Sequence, residues 1–149
     1  MPFGRFRGAI ICRYLAYKMP GTNHFLRLPM VHVRLVSPQA SLSTIGLVDS
    51  GSTTTFIPFD LADILSLPKV KEDSAIGAGG RFKAFIAKVD ISIMKGSSAF
   101  ATFKDFPAYV PYDPEAIPYV VLGRDSIFRK FDISFRENKQ RVIFRHPSR

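Results

Sequence analysis

Apolar and polar positions alternate along much of this chain, and the alternation predicts strands. From Phe25 to Val36, Leu26, Leu28 and Met30 are set against Arg27, then Val31, Val33 and Leu35 against His32 and Arg34. The face changes at Pro29, which predicts a bulge or a strand start there, since proline cannot donate to a ladder. Ser37-Pro38-Gln39 reads as a loop, and Leu42 to Val48 as the next strand. Phe85, Ala87, Val89, Ile91 and Ile93 alternate with Ile86, Lys88, Asp90 and Ser92, which predicts a long strand with one buried face. Separate strands are expected at Ala99 to Phe103 and around Ala108 to Val110. Tyr119 to Gly123 carries no charge and predicts a strand buried on both faces. The C-terminus reads as a hairpin, Phe131 to Phe135 and Arg141 to Arg145, turning at Glu137-Asn138-Lys139. Residues 6 to 17 predict an extended segment, followed by a turn at Pro20 to Asn23.

Helical spacing is confined to short stretches. Phe59 to Leu65 predicts a helix that turns Leu61, Ile64 and Leu65 inward and is ended by Pro68. Asp125 is the expected N-cap of a second short helix through Arg129. The chain is thus expected to be all-β with one or two short helices. It divides into a basic N-terminal extension over residues 1–25 and a single domain over residues 26–149, without internal repeats.

Composition supports a globular chain, with 149 residues and 46% hydrophobic positions. Phe-rich segments around Phe100, Phe103, Phe106, Phe128, Phe131, Phe135 and Phe144 read as core and interface contacts. The formal charge is +9, and residues 1–48 contain no Asp or Glu beside Arg5, Arg7, Arg13, Lys18, Arg27 and Arg34. Such a surface serves solubility, and is also compatible with nucleic acid, an acidic membrane surface or an acidic protein. Cys12 is the one cysteine, and His24, His32 and His146 lack metal-ligand spacing, so no metal and no cofactor are expected. The apolar run Ala9 to Cys12 is too short for a signal-peptide core or a membrane span, and a soluble, cytoplasmic protein is expected.

Candidate chemistry enters at Asp49-Ser50-Gly51, which follows the strand ending at Val48 and continues as Ser52-Thr53-Thr54-Thr55. Taken alone, Asp49 reads first as a turn aspartate that bonds its own backbone. Ser50 and Ser52 have no nucleophile elbow around them. Ser74 to Phe82 forms a glycine-tipped hairpin, with Ile76, Gly77, Ala78, Gly79 and Gly80 at its end, and lacks a phosphate-loop pattern. Some seventy residues after Asp49 comes Val121-Leu122-Gly123-Arg124-Asp125.

This ordered set resembles the retropepsin-like aspartic proteases: strand, Asp-Ser-Gly-Ser, glycine hairpin in the place of the flap, then an apolar strand ending in Gly-Arg-Asp. The likeness covers roughly residues 26–146 and is nearer to cellular and prokaryotic members than to retroviral ones. It implies a retropepsin-like closed or half barrel, and peptide hydrolysis by water between two aspartates that share a proton. One would act as base and the other as acid. Asp-Ser-Gly or Asp-Thr-Gly occurs once here, so the resemblance implies a homodimer with one Asp49 from each subunit, acting on a peptide or unfolded protein.

The resemblance also implies supporting roles. The Ser50 hydroxyl would bond across the two-fold axis. Gly51 would let its amide approach the carboxylate, and Gly123 would leave room for the Asp49 loop. Ser52 would donate to the outer oxygen of Asp49 and favour an acidic optimum. The residues Ile76 to Gly80 would cover the cleft. Arg124 pairs in retroviral members with an Asp whose position here is Thr53, so its partner must differ. Two other readings accompany this one: a catalytically silent dimer that binds peptides or acidic partners, and a nucleic-acid-associated protein.

Overall fold

The structure, a computed structural model, describes residues 8–147. Arg5, Arg7 and the first residues of the expected extended segment lie outside that range. The elements in chain order are β1 (Ile10–Arg13), β2 (Leu15–Lys18), β3 (Phe25–Leu28), β4 (Met30–Val36), β5 (Ser41–Val48), α1 (Phe59–Ile64), β6 (Lys69–Gly77), β7 (Gly80–Lys95), β8 (Ser98–Pro111), β9 (Val120–Leu122), α2 (Ile127–Lys130), β10 (Asp132–Arg136) and β11 (Arg141–Arg145).

The long β7 organises the main sheet. Its first half pairs with β6 and its second half with β4, while β8 runs antiparallel along its other edge. The sheet continues from β4 to β5, and from β5 to β9. This last pairing is parallel, Gly46 with Val120 through Val48 with Leu122. Parallel neighbours release their following loops at the same end of the sheet. The register therefore brings the Asp49 loop and Gly123 together, although they are far apart in sequence. A second sheet, β1-β11-β10, and the hairpin β2-β3 complete the fold.

The core follows the alternation. Val31, Val33 and Leu35 of β4 pack with Phe85, Ala87, Val89, Ile91 and Ile93 of β7, and with Val120 and Leu122 of β9. Both faces of β9 are buried, as the uncharged run predicts. Phe144 and Phe131 meet Phe100 with ring centroids 5.3 and 5.8 Å from it, which joins the terminal sheet to the core.

Of the closed or half barrel expected, the main sheet forms no closed barrel among the described residues; single-residue bridges from Phe56 to Tyr109 and Val121 link the margins at β8 and β9. Four local expectations are corrected. The two strands expected between Ala99 and Val110 are one strand, β8, because shifts of register opposite Val89–Ile91 and Ile93–Met94 absorb the break in pattern. The N-terminal segment is two strands, separated where the side chain of Tyr14 turns into the core and its N–H donates to Gln140 O. The buried positions are Ala62 of α1 and Leu65 just past its end, whereas Ile64 is 64% exposed. The helix lies with its Ala62 side down, which leaves the Ile64 side in solvent. Leu26, read as one of an alternating apolar set, is exposed because β3 belongs to the two-stranded hairpin and not to the main sheet.

Candidate active site

Asp49 is half-buried at the C-terminal end of β5, and its N–H donates to Leu122 O at 3.0 Å, a continuation of the parallel ladder. The chain then turns sharply. Ser52 N–H donates to Asp49 O at 3.2 Å, and Gly51 N–H donates to Asp49 Oδ1 at 2.9 Å. A Cβ on residue 51 would sit 3.2 Å from the same carboxylate oxygen. This is the close approach expected of Gly51. The Gly51 amide also ties down one oxygen of Asp49, and the other has no hydrogen-bond partner among the described residues. Ser50 is exposed, and its hydroxyl has no hydrogen-bond partner among the described residues.

Gly123 closes the loop from the other side. A Cβ there would lie 2.1 Å from Thr54 O, 2.5 Å from Thr54 C and 2.9 Å from Ser52 O. No side chain fits, and the obstacle is backbone, which cannot swing aside. Arg124 N–H donates to Ser52 O at 2.8 Å, so the second motif holds the first through its main chain. The Arg124 side chain is exposed and makes no ion pair among the described residues.

Two expectations at the loop are corrected. The Ser52 hydroxyl donates to Thr54 O at 2.6 Å and not to Asp49, because the chain turns so tightly here that the carbonyl two residues on folds back onto it. Asp125 does not cap α2. The helix starts at Ile127 after Ser126 without a side-chain cap bond, and the Asp125 carboxylate turns back toward the Asp49 loop. There Asp125 Oδ1 accepts the Thr55 hydroxyl at 2.6 Å, and Asp125 Oδ2 accepts Thr55 N–H at 3.3 Å.

Thr55 is the residue that sequence reasoning missed. It is fully buried, and its Oγ1 sits 2.7 Å from Ser126 Oγ and accepts Gly123 N–H at 3.1 Å. A hydroxyl has one proton and two lone pairs. Its proton goes to Asp125 and one lone pair takes the Gly123 amide, while the Ser126 hydroxyl lies in hydrogen-bond contact with it and also donates to Gly123 O at 3.2 Å. One threonine, three residues past the first motif, thereby holds Gly123 and Asp125 of the second. The available signal was a hydroxyl residue placed immediately before the apolar Phe56-Ile57 run.

Above the loop stands the hairpin of β6 and β7. Gly77 pairs with Gly80, and Ala78-Gly79 forms the two-residue tip. With the Asp49 loop it encloses a cleft of about 1010 Å³, lined among others by Asp49, Gly51, Phe56, Ile76, Phe82 and Val121. Ser52, Gly77, Ala78, Gly79 and Gly80 also line it, whereas Ser50, Gly123, Arg124 and Asp125 do not. Phe82 packs on Phe56, centroids 6.0 Å apart, within a small apolar cluster that includes Ala75, Val121 and Tyr109. At the cleft's side, burial and then the neighbouring Tyr17 and Asp49 push the Tyr119 hydroxyl up from its ordinary pKa.

No group of three or more potential metal ligands occurs among the described residues. No helix there is long and apolar enough to cross a membrane. The arrangement consists of one accessible carboxylate on a braced turn, in a cleft that a hairpin overhangs. It can hold an extended ligand and present a single acid or base to it.

Neither a family model nor a curated protein matches the chain. Solved structures do. The chain is similar to EIAV protease complexed with the inhibitor HBY-793, at 23% identity and a TM-score of 0.53, over 69% of this chain and 88% of that one. It is also similar to a retropepsin-like aspartic protease from Rickettsia conorii, at 19% identity and a TM-score of 0.53, over 92% of this chain and 89% of that one. The chain has the fold of the retropepsin-like aspartic proteases.

Proposed function

We propose that the chain is one subunit of a homodimeric aspartic endopeptidase, with Asp49 from each copy meeting at a two-fold axis. The observation that carries this reading is the Asp49 turn: a carboxylate with one oxygen tied to the Gly51 amide, open to a cleft, and braced by a glycine at which no Cβ fits. One carboxylate cannot serve as acid and base in the same step, and a second copy supplies the other. The free hydroxyl of exposed Ser50 is then available to the partner's backbone. The residues Ile76 to Gly80 would close over an extended peptide or unfolded segment and exclude water. The test compares wild type with Asp49→Asn for cleavage of an unfolded protein across acid to neutral pH, with the oligomeric state measured in parallel. Cleavage that requires Asp49 and a dimer is expected. Peptide binding without Asp49-dependent cleavage at any pH would establish the silent binding domain instead.

A second reading attaches to the sheet β1-β11-β10. Arg13, Arg141 and Arg136 stand directly across from one another on β1, β11 and β10. Like charges in register cost stability, and none of the three has an ion-pair partner among the described residues. This row favours an acidic or nucleic-acid partner for that sheet. Salt-sensitive retention of RNA or DNA that Asp49→Asn leaves unchanged would support it.

A further inference from the structure

β6, the outer strand of the overhanging hairpin, is tied across β7 at two points, to β8 and to the residue that follows it. Tyr109 Oη donates to Asp73 Oδ2 at 2.9 Å, and Tyr112 Oη donates to Glu72 Oε1 at 2.5 Å. The register assigns the two ties to opposite faces of β7. Asp73 stands opposite Ala84, which itself faces Pro111, and Tyr109 faces Ile86 on the same side. Glu72 stands opposite Phe85 and Val110, on the other side. Adjacent residues of β6 are therefore gripped from both faces of the sheet by tyrosines of one neighbouring segment.

Further contacts reinforce each tie. The other Asp73 oxygen accepts Ser74 N–H at 2.7 Å, so the carboxylate is fixed before Tyr109 reaches it. The Tyr109 ring packs on Phe56 at a centroid distance of 6.0 Å, in the apolar cluster beneath the hairpin. On the other face, Lys69 pairs with Glu72, and its ammonium lies 5.3 Å from the Tyr112 ring and 5.7 Å from the Phe85 ring. Tyr112 also lines the cleft. β6 is an edge strand, and among the described residues its only strand neighbour is β7. Backbone pairing fixes its register, and the two hydroxyls resist twisting of the hairpin about its base.

We infer that Tyr109 and Tyr112 are positioning residues that set the angle of the hairpin tip, Ile76 to Gly80, over the cleft. The inference rests on the proteolytic reading for its functional consequence, and on geometry alone for its mechanical one. Losing a typical net hydrogen bond is a several-fold change in an opening equilibrium. Removing both should raise hydrogen exchange of the tip amides about tenfold.

The test uses Tyr109→Phe, Tyr112→Phe and the double variant, which keep the rings and remove only the hydroxyls. Exchange of the amides between Ser74 and Lys83 should speed up in the double variant, with β4, β5 and β9 unchanged. Asp73→Asn retains an acceptor and should behave like wild type, whereas Asp73→Ala should behave like Tyr109→Phe. In cleavage assays, KM should rise more than kcat falls. Unchanged tip exchange in the double variant overturns the inference, and so does faster exchange throughout the sheet, which would indicate general destabilisation. A wild type that cleaves nothing overturns the proteolytic reading, and the exchange measurement still judges the ties.

Discussion

Substitution of Gly123 by alanine tests the packing between the two motifs. The added methyl would lie 2.1 Å from Thr54 O, where ordinary contact begins near 3.4 Å, so the Asp49 loop would have to retreat by more than an ångström. That retreat strains two bonds that hold the motifs together, Arg124 N–H to Ser52 O at 2.8 Å and Gly123 N–H to Thr55 Oγ1 at 3.1 Å. Overpacking costs roughly 1–3 kcal/mol, and each buried group left unpaired about 1–3 kcal/mol more. The expected total is about 3–5 kcal/mol, a large part of the roughly 5–15 kcal/mol that stabilises a typical domain. At about 2–4 °C per kcal/mol for a chain of this size, the melting midpoint should fall by about 10 °C. Thermal and urea denaturation measure it, and Gly51→Ala serves as the control. The contact there is 3.2 Å to a side-chain oxygen that can move, so the loss should be under about 1 kcal/mol. A Gly123→Ala protein with a wild-type midpoint would refute the reasoning, because the backbone would then have yielded at no cost.

Two further outcomes follow from the same geometry. Thr55→Val keeps the shape and removes the hydroxyl shared by Asp125, Ser126 and Gly123, so denaturation should show a loss of about 2–4 kcal/mol, with Thr55→Ser recovering most of it. The Asp73 tie should depend on pH at both ends. The Ser74 amide and then the Tyr109 hydroxyl, aided by Lys71 and opposed by burial, hold the Asp73 carboxyl below its ordinary 3.8. Its contribution is thus full above 3.8 and fades as pH falls through the lower folded value. The Tyr109 hydroxyl is raised above its ordinary 10.0 by its bond to Asp73, then by burial and by the charges of Asp73 and Asp125. That contribution is full below 10.0 and is lost as pH rises through the higher folded value. Tip-amide exchange, corrected for intrinsic rates, should therefore speed up at both extremes. Asp73→Asn should shrink the acid limb to what the second tie, Tyr112 to the Glu72 carboxylate, contributes, and an acid limb left unchanged in that variant would show the Asp73 tie to have no part in it.

Much of the strand pattern was legible in the sequence. Alternation over Phe85 to Ile93 located the buried face of β7, since pleating sends successive side chains to opposite sides whatever the neighbouring strands are. The unbroken apolar run before Gly123 gave a strand buried on both faces. The resemblance carried by Asp49-Ser50-Gly51 and Gly123-Arg124-Asp125 matches the fold of the solved neighbours. Local pattern did less well where orientation depends on what lies above or below. Ile64 and Leu65 are equally apolar, and only the seating of α1 decides that Leu65 is buried and Ile64 is not. Ser52 and Asp125 were legible as polar residues near the motifs, but not which acceptor or donor each would find.

The sequence by itself determined most of the strand segments, the main turns, and which residue types stand at the ends of β5 and β9. These depend on local sterics and on the period of apolar burial. The tertiary structure alone decided what those ends do to each other. Parallel pairing of β5 with β9 brings Gly123 against the Thr54 carbonyl and turns the Asp125 carboxylate to Thr55. It likewise decided that two tyrosines of β8 and the loop after it reach over β7 to hold β6. Contacts of this kind join residues distant in the chain, and their geometry follows from sheet order and register, which no local sequence pattern encodes.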